Sequence, residues 1–290
     1  MKIAATVILY EPRVEEVLNN INTFINYVDS IYLYDNTEVG SDFDYTRLNS
    51  SKVHYFRDRQ NKGLSVRLNE ASKRAISDQY KWLLTMDQDS FFLEPTIRKF
   101  ITGLSVYQDN NSIGIFGLSN TSSSTASIND NNTGETIEVS HVITSGSVIN
   151  LSVYKEAGGF DENLFIDGVD WDYCINLKLA GYSVIQFKNL FMEHQLGTRI
   201  KSASIKTLYL IKKEKYIHTP LRCYYLKRNM LYLQNKYRDY KLISIKEMTN
   251  HTNAHLKTCL FYGSDFIKTI LMINKAKKDY RNNIMGKIIN

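Results

Sequence analysis

Short apolar runs alternate with amphipathic segments along the first two-thirds of the chain. Five runs typical of buried strands lie at residues 2–10, 30–34, 52–56, 82–86 and 112–117. Between them, apolar residues recur at helical spacing over residues 12–27, 64–78 and 94–107. This alternation predicts an α/β fold with a mostly parallel central sheet that is flanked by helices and joined by right-handed crossovers.

The pattern is less regular after the fifth strand. Residues 120–135 are rich in Ser, Thr and Asn, which predicts a surface loop. A strand is expected at residues 136–144, followed by a turn at 145–147 and a short helix near residues 151–157. Gly158 and Gly159 would end that helix, and a further helix is expected to end at Gly181.

Charge divides the chain near Thr198. Residues 1–198 contain 16 Lys and Arg against 25 Asp and Glu, whereas residues 199–290 contain 20 against 5. The net charges are therefore −9 and +15. We predict an α/β domain at residues 1–198 and a basic, mainly helical region at residues 199–290, with different partners.

The basic region contains two predicted helices. Thr219 and Pro220 mark the start of the first, and the second extends from Leu260 to about Ile273, ahead of a run of lysines. Basic amphipathic helices lie on anionic membrane surfaces, so peripheral membrane contact is one hypothesis. A solvated helical bundle that covers the sheet is the other. Nucleic acid is not expected, because no reading motif is present and the first part is acidic.

Cysteine spacing and hydropathy indicate the cellular compartment in which the protein is expected. The three cysteines (Cys174, Cys223 and Cys259) form no C-x-x-C pair, which suits a reducing compartment and argues against a structural zinc site. The first apolar run ends early at Glu11, so we interpret it as a strand and not as a signal peptide. No run of about 18 apolar residues is present. We expect a cytoplasmic protein, with any membrane contact at the inner face of the cell membrane.

Two carboxylates follow the apolar run at residues 82–86 directly. Asp87 and Asp89 come where this strand ends, and ligands of open α/β sheets bind at the carboxyl ends of strands. A divalent cation with oxygen ligands would offset the repulsion between the two carboxylates. A solvated turn is the alternative, because Asp is common in turns.

A second acidic cluster lies at the start of the helix that ends at Gly181. Asp167, Asp170 and Asp172 fall within six residues. Helix capping and the helix dipole account for one acid at such a position, but a cap does not need three.

The order and spacing of these motifs resemble family 2 glycosyltransferases of the GT-A fold. The resemblance covers residues 1 to about 198 and is weaker to about residue 240. It rests on the first strand and on residues 35–36, 61–64, 87–90, 144–147, 158–161, 167–172, 180–182 and 193–194. Within the family, bacterial rhamnosyltransferases are most similar to this chain at three places: the Met86–Ser90 segment, the Phe165–Asp167 segment and the Arg228-Asn229 pair.

The resemblance implies a role for each candidate site residue. Asp170 would be the catalytic base, and Asp89 and His194 would bind a divalent metal ion, Mn²⁺ or Mg²⁺. His194 has the alternative of a histidine that only packs at a strand end. Asp35 would bond the pyrimidine ring of the donor, and Asp87 would lie near the ribose. The other contacts to the nucleotide sugar would come from Leu9, Tyr10, Asn61, Gly63, Arg67 and Gly146.

Two positions depart from the family pattern. The first strand ends in Leu9-Tyr10-Glu11 where the family usually has Thr-Tyr-Asn, so the side-chain contact to the base there is open. Val169 stands where the family usually has a Glu before the catalytic Asp, which removes a second carboxylate but leaves the base.

The resemblance implies an inverting glycosyltransferase that moves L-rhamnose from dTDP-rhamnose onto a saccharide acceptor, expected to be lipid-linked, in bacterial surface polysaccharide biosynthesis. One alternative is a hexosyl- or galactofuranosyltransferase that uses a UDP-sugar on the same scaffold. Another is a catalytically silent carbohydrate- or nucleotide-binding module, against which Asp87, Asp89 and Asp170 argue. A nucleotidyltransferase would need a Gly-rich basic loop after its first strand, which residues 9–13 do not provide.

Overall fold

The computed structural model describes residues 1–40, 43–119, 135–193, 198–203, 212–263 and 265–288. The chain divides into two compact units. The first consists of residues 1–162 and 169–194, and the second of residues 163–168 and 195–290. The charge change near Thr198 lies close to the last of these transitions, whereas no sequence pattern indicated that residues 163–168 join the second unit.

A central sheet organises the first unit. The strands of this unit are β1 (Ile3–Leu9), β2 (Ser30–Asp35), β3 (Val53–Arg57), β4 (Trp82–Asp87), β5 (Phe91–Phe92), β6 (Ile113–Leu118), β7 (Thr136–Glu138), β8 (Ser147–Asn150), β9 (Ser183–Phe187) and β10 (Met192–Glu193). All of them except the short strands β5 and β10 belong to the central sheet. The helices of this unit are α1 (Val14–Asn22), α2 (Leu64–Ser77), α3 (Glu94–Ser105) and α4 (Val169–Leu179).

The strand order places one set of strand ends along a single edge. Across the sheet the order is β3-β2-β1-β4-β8-β6-β9-β7. Strands β1 to β4 are parallel, β8 is antiparallel to both β4 and β6, and β6 is parallel to β9. The carboxyl ends of β1, β2, β3, β4 and β6 therefore share one edge with the amino end of β8. The predicted α/β fold with a mostly parallel sheet is confirmed.

The core follows from the apolar runs. The side chains of β1 and β4 are buried almost throughout, as expected for strands covered on both faces. Val17 and Ile21 of α1 are one turn apart and fully buried, and they belong to the same apolar cluster as Leu9 and Met86. This packing fixes the ends of β1 and β4 beside each other.

Three local predictions for residues 136–158 differ from the structure. The described strand is only Thr136–Glu138, and residues 147–150, expected as turn and loop, form β8. Residues 151–158 form successive turns and not an α-helix. Four residues are too few to display a periodicity, and Ser145 and Gly146 before β8 have the composition of a turn, so the pattern favoured a turn there.

The described residues of the second unit form two antiparallel strands and three α-helices. Its elements are β11 (Thr198–Ala203), β12 (Lys212–Ile217), α5 (Pro220–Lys236), α6 (Ile243–Tyr262) and α7 (Phe266–Arg281). Thr219 caps α5 as predicted, because its side chain accepts a hydrogen bond from the backbone N–H of Arg222 at 3.3 Å. The second predicted helix is wrong in its bounds: α6 ends at Tyr262, and α7 begins after Asp265, which caps it.

Segment 163–168 is bound to α5 within the second unit. Asn229 Nδ2 donates hydrogen bonds to the carbonyl oxygens of Ile166 at 2.7 Å and Asp167 at 2.9 Å. Phe165 stacks on Tyr225 with ring centroids 5.2 Å apart. No helix among the described residues is both long and apolar enough to cross a membrane.

Candidate active site

The end of β4 places Asp87 and Asp89 at the shared edge of the sheet. Both side chains are partly exposed, although the strand before them is buried. The backbone N–H of Asp87 donates to Ser145 Oγ at 3.0 Å, and its carbonyl accepts a hydrogen bond from Asn20 Nδ2 at 2.8 Å. The backbone around the two carboxylates is therefore held from both sides.

Residues 144–147 form a turn against the end of β4. Thr85 Oγ1 donates to the carbonyl of Thr144 at 2.5 Å, and the N–H of Gly146 donates to the carbonyl of Thr85 at 2.8 Å. Gly146 has φ +72°, and a Cβ there would lie 2.5 Å from Met192 Sδ. Only glycine satisfies both the positive φ and the close approach of Met192. The predicted glycine turn is thus built tightly against the strand that carries the carboxylates.

The end of β1 lies beside the same carboxylates. Leu9 is fully buried, whereas the side chain of Tyr10 is 46% exposed. The side-chain amide of Gln88 bonds both backbone groups of Tyr10: Oε1 accepts the N–H at 2.8 Å, and Nε2 donates to the carbonyl at 3.1 Å. Gln88, which the sequence analysis did not single out, therefore fixes Tyr10 relative to Asp87 and Asp89.

Asp35 ends β2 and is fully buried. Its Oδ1 accepts a hydrogen bond from the N–H of Thr37 at 2.7 Å, and its Oδ2 accepts one from the Tyr55 hydroxyl at 2.6 Å. Arg57 Nε lies 3.8 Å from Oδ2. In this structure Asp35 orders the chain after β2 and the ring of Tyr55.

Arg67 on α2 holds the loop at residues 58–63. Its Nε–H donates to Asn36 Oδ1 at 2.8 Å. Nη1 donates to Asp58 and Glu70, and Nη2 donates to Asp58 and to the carbonyl of Gln60, at distances of 2.5–3.1 Å. All five N–H donors of the guanidinium are thus used within the protein. A contribution of Arg67 to a nucleotide site would come through the loop that it holds.

The same loop contains Asn61 and Gly63. Asn61 Oδ1 accepts the N–H of Gly63 at 3.2 Å, and Asn36 Nδ2 donates to the carbonyl of Gly63 at 3.2 Å. Gly63 has φ +83° immediately before α2. Asn36 therefore links the end of β2 to this loop, so the predicted residues of β2 and of the loop lie together.

The three acids before and in α4 have different surroundings. Asp170 is partly exposed in the first helical turn, and its Oδ1 accepts the N–H of Trp171 at 2.9 Å. Asp172 is fully buried and accepts a hydrogen bond from Asn176 Nδ2 at 3.2 Å. Asp167 belongs to the second unit, where Arg222 Nε donates to it at 2.7 Å. Of the three, Asp170 is the carboxylate of the first unit that reaches solvent.

Two contacts place the start of α4 beside the chain that leads into the glycine turn. The ring of Trp171 stacks on His141, with centroids 3.4 Å apart and planes at 20°. One turn further along α4, Cys174 Sγ lies 3.8 Å from the carbonyl of Val142, and burial raises the pKa of this thiol to about 12. Asp170 therefore lies next to residues 141–142, shortly before the turn at residues 144–147. His141 and Trp171 had no signal in the sequence pattern.

The predicted metal ligands are only partly described. His194 lies outside the described residues. Among the residues that are described, no group of three or more His, Cys, Asp or Glu side chains is arranged to hold a metal ion. Asp87 and Asp89 supply carboxylate oxygens, which are the ligands that Mg²⁺ and Mn²⁺ prefer.

A family model described as "Glycosyl transferase family 2" matches residues 13–152. This span includes the candidate donor-site residues from Asp35 to Gly146. The part of the chain that holds these residues belongs to the family 2 glycosyltransferases. The predicted family and the predicted enzyme class are confirmed.

The glycosyltransferase is similar to a curated protein along most of its length. It is 26% identical over 267 residues to "dTDP-rhamnosyl transferase RfbF" of Shigella flexneri, with 85% of this chain and 84% of the relative covered.

Solved structures share the fold of the glycosyltransferase at low identity. S. aureus TarS matches with a TM-score of 0.55 and 10% identity, over 98% of this chain and 49% of TarS. The glycosyltransferase thus spans about half the length of that chain. A TarS structure of residues 1–349 matches with a TM-score of 0.56 and 12% identity, over 98% of this chain and 81% of that one. At these identities the likeness concerns the fold alone.

Proposed function

We propose that this glycosyltransferase transfers L-rhamnose from dTDP-rhamnose to a saccharide acceptor, with inversion at the anomeric carbon. The observation that carries the proposal is the match to the dTDP-rhamnosyl transferase, which covers 85% of the chain and therefore extends beyond the first unit into the second. Two separate acidic positions support it, because an inverting transfer needs one site for the diphosphate and another for a base.

The donor would bind along the sheet edge. We assign the nucleotide sugar to Leu9, Tyr10, Asp35, Asn61, Gly63, Arg67, Asp87 and Gly146. Asp35 and Arg67 are occupied by protein partners, so we propose that they act by holding Tyr55 and the loop at residues 58–63. Tyr10, exposed and fixed by Gln88, is suited to direct contact.

Asp170 is the proposed base. Its carboxylate would take the proton of the acceptor hydroxyl as that oxygen attacks the anomeric carbon from the face opposite the nucleotide. The bond between the anomeric carbon and the phosphate oxygen breaks, and dTDP leaves with the electron pair. The hydrogen bond from Trp171 N–H and the stacking of Trp171 on His141 would hold Asp170 in place for this step.

We propose a divalent cation, Mg²⁺ or Mn²⁺, as the cofactor, with Asp89 and His194 as its ligands and Asp87 two residues before Asp89. Partly exposed carboxylates at a strand end, set in a fixed backbone, are suitable oxygen ligands. When bound, the cation would neutralise charge that develops on the leaving diphosphate.

The acceptor and the place of action belong to the same proposal. We propose a lipid-linked saccharide of bacterial surface polysaccharide as the acceptor, and a peripheral contact with the cytoplasmic face of the membrane through the basic second unit. The contact is supported by exposed apolar side chains on α7, among them Ile267 and Leu271, which are 72% and 61% exposed. Vesicle flotation of the variant I267S/L271S tests this contact. If the variant and the unchanged protein are recovered equally with anionic vesicles, these side chains do not form the contact.

A donor screen by thermal shift tests the proposal. dTDP-rhamnose with Mn²⁺ or Mg²⁺ should raise the Tm more than UDP-glucose or UDP-galactofuranose does, because a ligand that binds only the folded state stabilises it. Asp89→Asn should abolish the metal-dependent part of the shift without lowering the Tm of the free protein. A larger shift with a UDP-sugar would assign the donor to the alternative, and an unchanged metal effect in D89N would refute the metal site.

A further inference from the structure

A cleft of about 390 Å³ lies between α5 and α7 in the second unit. Its lining consists of Lys227 and Leu231 of α5 and of Lys277, Tyr280 and Arg281 of α7. Positions 227 and 231 are one helical turn apart, and positions 277, 280 and 281 fall within one turn, so each helix presents one face to the cleft. Three of the five lining side chains are cationic.

The cations of the cleft have no carboxylate partner among the residues that the structure describes. No ion pair within 4.0 Å involves Lys227, Lys277 or Arg281. The carboxylate nearest to them along α7 is Asp279, which is buried, accepts the Tyr224 hydroxyl at 2.8 Å and lies 3.4 Å from Lys275 Nζ. Asp279 is therefore committed to the helix interface and does not neutralise the cleft.

Lys227 lies where its surroundings disfavour a positive charge. The side chain is partly buried, and burial together with the charge of Lys277 lowers the pKa of its ammonium group. Both effects oppose the protonated form, and a bound anion would relieve both of them.

We propose that this cleft is a binding site for a phosphate or diphosphate group. Two ammonium groups and a guanidinium supply donors of the kind that bind phosphate oxygens, and the Tyr280 hydroxyl can donate one more hydrogen bond. The proposal is independent of the donor sugar and of the active-site carboxylates, because it rests on contacts within the second unit alone.

The residues around the cleft favour a phosphate group that is part of an amphiphilic molecule. Ile267, Ile270 and Leu271 are exposed on the first half of α7, and Leu231 lines the cleft itself. Ile270 and Lys277 are separated by about 10 Å along the helix axis, at the rise per residue of an α-helix. An apolar chain on the first half of α7 would thus place a phosphate head group at the cleft. A soluble phosphate compound is the other source of the same group.

Calorimetry with inorganic pyrophosphate tests the site. The full chain is titrated in EDTA, so that metal-dependent binding at the sheet edge does not contribute. K227Q/K277Q/R281Q should weaken binding about tenfold or more, since it removes the charge-assisted hydrogen bonds. The matched control K246Q/K257Q/K268Q removes the same charge from exposed lysines outside the cleft and should retain the affinity.

The outcomes separate the site from general electrostatics. Unchanged affinity in the cleft variant, or an equal loss in both triple variants, would overturn the proposal. The single variant R281Q changes an exposed side chain and repeats the test if the triple variant has a lowered Tm.

Vesicle flotation then distinguishes the two sources of the phosphate group. Vesicles with phosphatidic acid, whose phosphate is terminal, are compared with phosphatidylserine vesicles of matched surface charge. A preference for phosphatidic acid that the cleft variant loses and the control keeps would assign the group to a lipid. Equal recovery from both, with pyrophosphate binding retained, would assign the cleft to a soluble phosphate compound.

Discussion

Asp167, Asp170 and Asp172 show how three identical side chains within six residues take different roles. Asp167 is paired with Arg222, Asp172 is buried against Asn176, and Asp170 is partly exposed. A pattern of acids cannot rank them, because burial and pairing depend on residues far away in the chain. The structure makes Asp170 the carboxylate to test as the base.

Asp170→Asn should lower kcat by about 10²–10⁴-fold, the usual contribution of a general base, and leave donor binding nearly unchanged. The amide keeps an oxygen to accept the N–H of Trp171, so the helix start should be preserved. Single-turnover transfer to a soluble acceptor, together with the Kd of the donor from calorimetry, measures the two effects.

Asp109→Asn serves as the control, since Asp109 is exposed and remote in sequence from both acidic clusters. It should retain full activity. A fall of less than about tenfold in D170N would place the base elsewhere, with Asp172 and Asp167 next in turn.

Gly146→Ala tests the turn beside β4. The new Cβ would need a positive φ and would lie 2.5 Å from Met192 Sδ, so the turn should move and activity should fall. Gly181→Ala is matched for backbone strain, with φ +88° and open space around its Cβ. Overpacking typically costs about 1–3 kcal/mol beyond the strain, so urea unfolding should show a larger loss in G146A. Equal losses in both variants would mean that the contact with Met192 is relieved without consequence.

At the scale of elements, the connection between β3 and α2 depends on one guanidinium. Arg67 donates all five N–H groups, to Asn36, Asp58, Gln60 and Glu70. Arg67→Lys keeps the charge but provides three donors from a single atom, which cannot reach the same acceptors. We expect a loss of about 2 kcal/mol or more in the free energy of unfolding, because a buried charged group loses most of its hydrogen bonds.

Arg74→Lys is the matched control on the same helix. Arg74 forms an exposed i,i+4 ion pair with Asp78, and such pairs contribute about 0.3–0.5 kcal/mol. R74K should therefore change the free energy of unfolding within that range. A similar effect of the two substitutions in urea unfolding would contradict the role given to Arg67.

The Arg67 network also predicts how stability depends on pH. Hydrogen bonds from Arg67 lower the pKa of Asp58 well below its usual value. A lowered pKa in the folded state adds stability that is present above the usual pKa and is lost as pH falls through the lowered value. The free energy of unfolding should thus decrease below about pH 4, and less steeply in R67K than in the unchanged protein. Parallel curves for the two would exclude this coupling.

Elements with long periodic patterns were predictable from sequence, and short or irregular ones were not. Helix α2 was predicted within one residue of its observed end, because its apolar positions recur over several turns. Strand β8 was missed because it has four residues. Helix α6 was missed because two of its regularly spaced buried positions hold the polar residues Ser244 and Thr252, which weakens the apolar pattern. Gln88 and Ser145 act through backbone contacts with distant residues, for which a single sequence has no signal.

At the scale of the whole molecule, the chain passes between the two units three times. Residues 163–168 belong to the second unit, although the residues on both sides of them belong to the first. The charge change near residue 198 therefore coincides with only one of the three transitions. A chain that ends at residue 198 would lack Arg222, Asn229 and Tyr232, which bind this segment.

We predict that the fragment 1–198 is cleaved by proteases at residues 163–168 much faster than the full chain is. The segment would lose the hydrogen bonds that α5 supplies and would expose Phe165. Mass spectrometry of a limited digest measures the rate at that position. Within the full chain, Asn229→Ala should have a weaker effect of the same kind, and exposed Asn235→Ala on the same helix should have none. Protection of the segment in the fragment would show that it does not depend on α5.

When the chain is synthesised from its amino terminus, segment 163–168 is made well before the residues that bind it. When α4 leaves the ribosome, the sheet strands β1 to β8 already exist, but the partners of this segment at positions 222–232 and 286 do not. Asp170 lies two residues after the segment, so the chain that leads to the proposed base acquires its hydrogen-bond partners only after α5 and residue 286 have been made. A nascent chain stalled before α5 would therefore hold strands β1 to β8 without a fixed segment ahead of Asp170, and we expect it to be inactive.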